Sequence, residues 1–375
     1  MKILVNIARV LVGVLFIFSG LIKANDPLGL SYKMQEFFDL WGMSQFNAWT
    51  LVMSVVMNAF EIIAGFALLL GWGTRLFSWL LLLLIIFFTF LTGYAYFSGQ
   101  FKNCGCFGDC IPIESKTSFI KDLVLLVLIA FIFWKQQYVK PIWKTGASVM
   151  AMLLVTVFSF GIQWYTLNYL PVFDCLPFKK GNNIAEKMKM PVGSRPDSFA
   201  ILFVYEKAGK QYEFTATELP ADLATYNFVS RKDKLIRKGN AEPPIKGFEL
   251  SGETNVDSTS FVMEQPYALL LFCENFNVRV SSWEKEFAPV FQAASKKNIP
   301  AFLITSEPGS ARNNISTTSF SGLTIFKCDY TAIRTAARTN PCLYVLKKGT
   351  ILEKWSKHGF SKAEKLINGL KPDSN

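Results

Sequence analysis

The sequence predicts a membrane-embedded α-helical bundle followed by a water-soluble α/β domain outside the cytoplasm. Three observations carry that expectation. Long apolar runs fill residues 1–170, ordinary mixed-polarity sequence fills 179–375, and from about residue 246 buried-strand and helix patterns alternate. Of the 375 residues, 51% are hydrophobic and only 18% charged, too oily for a wholly soluble chain, and the length suits about two domains.

A hydrocarbon core of ~30 Å takes ~20 apolar residues as helix. Ile3–Ile22, Thr50–Trp72, Leu76–Phe97, Ser118–Val139 and Ala147–Leu170 meet or approach that length. In the fourth, Lys121 and Asp122 leave only Leu123–Trp134 uninterrupted. The first reads as a retained helix, because Arg9 interrupts it and Ile22-Lys23-Ala24 is a poor cleavage site.

Basic residues near helix ends set orientation. With a cytoplasmic N-terminus, the short inner loops hold Lys2, Arg75, Lys135, Lys140 and Lys144 with no acidic residue. The outer loops hold Lys23, Lys33, Lys102 and Lys116, diluted by Asp26, Glu36, Asp39, Asp109 and Glu114. This density places everything after the fifth helix outside, where disulfides persist. The net charge of +11 is scattered as Lys-Glu mixtures without a stripe, which excludes nucleic acid as a partner and suits a face near anionic lipid.

Between the first two spans, "SYKMQEFFDLWGM" repeats Met34, Phe37, Phe38 and Trp41 on one helical face. This is a helix in the outer interface or capping the bundle. Arg9 and Glu61 lie at depths where a lone charge costs at least ~2.5–3.5 kcal/mol, so each needs a partner. An Arg9–Glu61 pair joining two helices is one reading; a proton-handling or quinone-contacting Glu61 is the other.

Three of the seven cysteines fall in "FKNCGCFGDCIP", at Cys104, Cys106 and Cys110. A Cys-x-Cys disulfide closes a small strained ring that is easily reduced, and Gly105 removes the side chain that would resist it. Lys102 favours the thiolate while Asp109 opposes it. The usual zinc-knuckle spacing is absent and the one histidine, His358, is remote, so no metal site is expected. Cys175, in "LPVFDCLPF", emerges on the same face. A Cys110–Cys175 disulfide would leave Cys104 and Cys106 as the redox-active candidates; a static Cys104–Cys106 staple is the alternative.

The stretches "ARVLVGVLFIFSGLIKANDPLG", "EIIAGFALLLGWGTR" and "CGCFGDC" resemble the DoxX-like membrane proteins, and among them the MauE (methylamine-utilisation) branch, over roughly residues 1–140. The resemblance implies a four-helix domain of the bacterial cytoplasmic membrane and thiol–disulfide work by the CGCFG motif. MauE-like members are linked to disulfide maturation of an amine dehydrogenase and DoxX relatives to quinone-coupled electron transfer. Quinone is therefore the one cofactor implied, and the partners are membrane lipid and an exported client protein. The fifth span is additional.

In the soluble half, "SFAILFVYEKAGKQYEFTA" reads as a β-hairpin, and the stretch to about 245 has no assignable pattern. From about 246, "PPIKGFELSGETNVDS" resembles the leading hairpin of membrane-anchored thioredoxin-like proteins. "YALLLFC", "IPAFLITS" and "LTIFKCD" read as buried strands, "SSWEKEFAPVFQAASKKN" and "TAIRTAAR" as helices, and "TNPCLYVLKKGTILEKW" as a closing hairpin before the helix "KAEKLINGL". This order is similar to thioredoxin, with Asn340-Pro341 at its cis-proline position. The dithiol positions fall on Ser281 and Glu284, so the domain is degenerate. Cys273 and Cys342 are a cross-strand pair, as a disulfide or as two buried thiols; Cys328 is unpaired and His358 lies at the surface.

The expected organisation is a four-helix membrane domain (1–145), a fifth transmembrane helix (146–172), a connector with a β-hairpin (173–245) and a thioredoxin-like domain lacking its Cys-x-x-Cys (246–375). The expected function is thiol–disulfide exchange on exported proteins through Cys104 and Cys106, with the outer domain presenting clients. The alternative is a non-enzymatic membrane scaffold with structural cysteines.

Overall fold

The computed structural model describes residues 1–99, 105, 107–195, 198–207, 209–215, 218–220, 222–237, 239, 242–252 and 255–371. The first half is α1 (Lys2–Asn25), α2 (Pro27–Leu40), α3 (Thr50–Leu70), α4 (Thr74–Ser98), α5 (Ser115–Trp134) and α6 (Thr145–Tyr169). All but α2 are long and apolar enough to cross a membrane, making this a multi-pass membrane protein.

Small residues set how the helices meet. A Cβ on Gly65 would lie 2.8 Å from the Gly13 carbonyl oxygen, and one on Gly20 would lie 3.1 Å from that of Asn58. Only glycine permits this backbone approach of α1 to α3. The fifth span packs on the others through polar bonds. Asn58 donates to Gln163 (3.2 Å), Gln163 to the Val55 carbonyl (3.0 Å) and Thr166 to the Ala24 carbonyl (3.2 Å). At the C-terminal end of α1 the chain turns into α2, where Pro27 takes the first helical position and the Asp26 carboxylate accepts from Gly29 N–H.

The second half contains α7 (Ile184–Lys187), β1 (Ser198–Lys207), β2 (Lys210–Thr215), β3 (Asn227–Arg237), α8 (Thr259–Glu264), β4 (Ala268–Phe272), α9 (Glu284–Lys296), β5 (Ala301–Thr305), α10 (Pro308–Ile315), β6 (Thr324–Lys327), α11 (Tyr330–Ala336), β7 (Cys342–Lys347), β8 (Thr350–Ser356) and α12 (Phe360–Gly369). The five-stranded sheet runs β6-β5-β4-β7-β8. β4, β5 and β6 are parallel, and β7 and β8 continue antiparallel. A β-α-β unit followed by a hairpin and a helix in this strand order is the thioredoxin-like arrangement, with β6 added at one edge. The Asn340-Pro341 bond before β7 is cis.

Every residue of β4 is buried because both faces are covered. Leu269 and Leu271 pack with Phe287, Val290, Phe360 and Ile367 of α9 and α12. Leu270 and Phe272 pack with Phe178, Phe248, Ile333 and Tyr344 on the opposite side.

Two features differ from the sequence expectation. Residues 176–188 complete the sheet domain rather than linking to it. Phe178 and Ile184 enter its core, and the Gly181 and Ile184 N–H groups donate to Ile351 (2.8 Å) and Gly349 (2.9 Å). β1 and β2 gain a third strand, β3, giving a separate sheet ordered β2-β1-β3. Its sequence "NFVSRKDKLIR" shows no clean apolar alternation, so it left no strand signal. The segment expected as a leading hairpin does turn back on itself, with an antiparallel bridge between Ser251 and Asp257 and the Ser258 N–H donating to the Leu250 carbonyl (2.8 Å), and Ser251 also bridges to Lys327.

Candidate functional site

Cys104 and Cys106 lie outside the described residues. Their described neighbours are well held. Gly105 and Gly108 have φ of 69° and 57°, conformations that glycine adopts without strain. A Cβ on Gly105 would lie 3.2 Å from Cγ of Lys33. Phe107 is buried, its ring 5.9 Å from that of Phe18 and 5.0 Å below the Lys121 ammonium. Cys110 and Cys175 form a disulfide with their Cα atoms 4.8 Å apart, tying this loop to the exit of α6.

The other three cysteines are free and buried. Phe272 faces Cys342 across β4 and β7, so Cys273 lies one residue beyond that pairing, and the two form no bond. Burial, with Cys342 nearby, pushes the Cys273 thiol up to about 12. Burial likewise takes Cys328 to about 12 and Cys342 to about 11. Such thiols hold their protons at neutral pH and are poor nucleophiles. Ser281 lies in the short turn before α9 and Glu284 is its first residue, so neither of the positions expected from the sequence to correspond to the dithiol carries sulfur.

The intramembrane pairing differs from the expected Arg9–Glu61 contact. Glu61 pairs with Lys23, both fully buried. Arg9 instead donates to the Leu69 carbonyl (2.6 Å) and the Lys140 carbonyl (3.3 Å). The glycine contacts fix the reason. They set Arg9 beside Leu69, eight residues past Glu61, roughly 12 Å away at ~1.5 Å per residue. Lys23 lies nearer, and its Cβ tilts toward the α1 N-terminus, in the direction of Glu61. The second Glu61 oxygen, Oε2, meets no hydrogen-bond donor among the described residues.

Lys23 of this pair also lines an open groove with a cavity volume of about 100 Å³. Phe37 and Trp41 at the end of α2, Met57 of α3 and Phe88 of α4 form its apolar walls; Lys23 and Gly105 also line it. The amphipathic face read from "SYKMQEFFDLWGM" thus covers a lined groove. The Lys23 ammonium stands 5.1 Å over the Phe88 ring.

The thioredoxin-like domain docks on this same end of the bundle. The Arg338 guanidinium donates to Asp26 (2.9 Å) and Asp109 (2.6 Å), with only 4% of its side chain exposed. Burial works against its charge, but the two carboxylates outweigh burial and hold its pKa above the usual value. Arg334 lies 3.6 Å over the Tyr32 ring, donates to Gln35 and pairs with Glu274 at 3.3 Å. His358, exposed, sets its ring 5.2 Å from Tyr169 of α6. None of these contacts was read from the sequence; the one local hint is the i, i+4 spacing of Arg334 and Arg338 beside Pro341. Among the described residues no group of three His, Cys, Asp or Glu side chains is placed to hold a metal.

Fold and site together define a multi-pass membrane protein with a docked, dithiol-free thioredoxin-like domain. Residues 1–135 match the family model for methylamine utilisation protein MauE. Residues 199–238, the β1–β3 sheet, match a domain of unknown function (DUF8463). No curated protein matches the chain. Among solved structures, yeast Sco1 with copper bound is similar at 14% identity and a TM-score of 0.26, over 34% of this chain and 94% of that one. A second structure of yeast Sco1 is similar at 13% identity and the same score, over 33% and 94%.

Proposed function

We propose that this protein performs thiol–disulfide exchange on exported proteins at the outer face of the bacterial cytoplasmic membrane, through Cys104 and Cys106. The observation that carries this is the distribution of sulfur. Cys110 and Cys175 are joined to each other, and the three remaining cysteines are buried thiols with raised pKa. Exchange by this chain therefore falls to the CGC pair. A client thiolate attacks the oxidised Cys104–Cys106 pair and forms a mixed disulfide, and the client's second thiol resolves it, leaving the client oxidised and the pair as two thiols. Two electrons and two protons pass from the side that becomes oxidised to the side that becomes reduced. The apolar groove with Gly105 at its lining supports a lipid-soluble quinone as the partner that renews the pair from the membrane.

A second reading, a static scaffold, draws on the buried Arg338 contact, which is what a permanently assembled pair of domains would also use. Thiol trapping in intact membranes separates the two. Under exchange, Cys104 and Cys106 shift between oxidised and reduced forms on addition of reductant and quinone, and replacing both by serine abolishes client disulfide formation. A pair that stays oxidised throughout, with serine variants that lose stability but not client maturation, would establish the scaffold.

A further inference from the structure

We infer that the end of the bundle opposite the thioredoxin-like domain holds a binding site for a phosphate-bearing anion, supplied by the headgroup of an anionic phospholipid. Thiol exchange plays no part in it. The site is built where three chain segments meet. Gly71 closes α3 with φ of 67°, and a Cβ there would lie 2.6 Å from the Lys140 carbonyl oxygen, so glycine lets the chain after α5 cross the end of α3. The Ile142 N–H fixes that crossing by donating to the Leu70 carbonyl (2.9 Å). Arg9 of α1 completes the frame, donating to the carbonyls of Leu69 (2.6 Å) and Lys140 (3.3 Å). Between these segments lies a pocket with a cavity volume of about 400 Å³, whose lining combines the cations Lys2, Arg9 and Lys140 with the apolar Val10 and Ile142.

Two independent observations point to an anion. The first is charge. Three cations share one pocket, and no Asp or Glu occurs in residues 1–25, 62–75 or 135–144, the segments that build it. The second is the Arg9 Nε. Arg9 is only 6% exposed and two carbonyls hold its terminal nitrogens, yet its buried Nε meets no hydrogen-bond acceptor among the described residues. A buried donor of a charged group is costly to leave unmet, and a phosphate oxygen satisfies it with a charge-assisted bond. Lys2 and Lys140 are exposed and bring two further ammonium groups to the same anion. The lipid source follows from the surroundings. Val10 and Ile142 are exposed beside these cations, at the end of a membrane-spanning helix, so a headgroup and its acyl chain meet matching surfaces at once. Basic pockets between transmembrane helices take phospholipid headgroups for this reason. A soluble phosphate would use the cations and leave the apolar lining without a role.

The experiment uses the full chain, delipidated in detergent and titrated in separate arms with phosphatidylglycerol, phosphatidylcholine and inorganic phosphate. Native mass spectrometry counts the bound copies. At the first site to fill, phosphatidylglycerol is expected to bind about tenfold more tightly than phosphatidylcholine. Lys2→Gln and Lys140→Gln should each weaken that binding about fivefold, the factor one basic residue contributes toward an acidic lipid. Arg75→Gln combined with Lys144→Gln removes two exposed charges from the same end but outside the pocket, and should leave the first site unchanged. Arg9→Gln should weaken binding most. It also cuts two backbone ties, so the lysine variants carry the test if it fails to fold. Equal affinity for the two lipids overturns the site, as do losses in the pocket variants no larger than in the Arg75→Gln, Lys144→Gln control. Inorganic phosphate that binds with the same dependence on Lys2 and Lys140, and displaces phosphatidylglycerol, overturns the lipid as the source and leaves a site for free phosphate.

Discussion

In the helical bundle Cys110 sits at one end, beside Gly108 and tied by a disulfide to Cys175 at the exit of the last span. In the thioredoxin-like domain all three cysteines lie inside the sheet's core with their protons held. The buried charges are divided differently too. The bundle keeps Lys23 and Glu61 deep among its helices, whereas the sheet domain spends its buried Arg338 on the contact with the bundle. A fold widely used for thiol chemistry here supplies shape and a docking edge, and the membrane helices carry the candidate thiols. Fold and chemistry are separable, and the site has to be argued from its own residues.

The largest stability effect should come from the bundle's ion pair. Glu61→Gln strands a buried ammonium, and breaking such a pair from one side costs about 3–5 kcal/mol. Thermal unfolding of the whole protein in detergent should show a clear fall in midpoint. Replacing both partners, Lys23→Leu with Glu61→Leu, should recover most of it. If Glu61→Gln melts like the parent but client turnover drops, the pair serves proton handling and the structural contrast between the halves fails at that point.

A smaller effect is expected in the sheet core. Cys273→Ser places a hydroxyl at a site 2% exposed, at a cost of about 1–3 kcal/mol, while Cys273→Ala loses less because no polar group is buried. Neither should reduce exchange per folded molecule by more than about twofold, since the thiol takes no part. Urea unfolding together with client oxidation checks both. A large loss of turnover with stability intact would return thiol chemistry to the thioredoxin-like domain.

The architecture was legible where local patterning decides it. Twenty-residue apolar runs gave the spans, and "YALLLFC" with "IPAFLITS" gave the central strands, because a strand covered on both faces must be apolar throughout. Sharing one face was enough to suggest Cys110 with Cys175. What stayed illegible depends on contacts far apart in sequence. The partner of Glu61 follows from where Gly13 and Gly20 let two helices touch, not from depth counted along each helix. Arg338 meets Asp26 across more than three hundred residues, and no local period encodes that. β3 escaped because a polar strand in a small separate sheet carries no apolar alternation.

The smallest effect tests whether the sheet's thiols are as inert as their burial implies. Burial raises Cys342 to about 11 from 9.0, although Lys354 and the Thr339 hydroxyl pull the other way. The folded state therefore keeps a proton that the unfolded chain releases. Below about pH 9 both states are protonated and the shift contributes full stability. As pH rises from about 9 toward 11, the unfolded state gains, by at most about 1.4 kcal/mol per pH unit for this one thiol. Hydrogen exchange at the β4 amides, followed from pH 8 to 10 in the full-length protein, should show opening become easier in the parent. The Cys342→Ala variant should show a shallower dependence, about 1 kcal/mol less across the same interval. Equal slopes would mean that Cys342 already ionises in the folded domain. The division of thiols between the two halves would then be one of position only, not of reactivity.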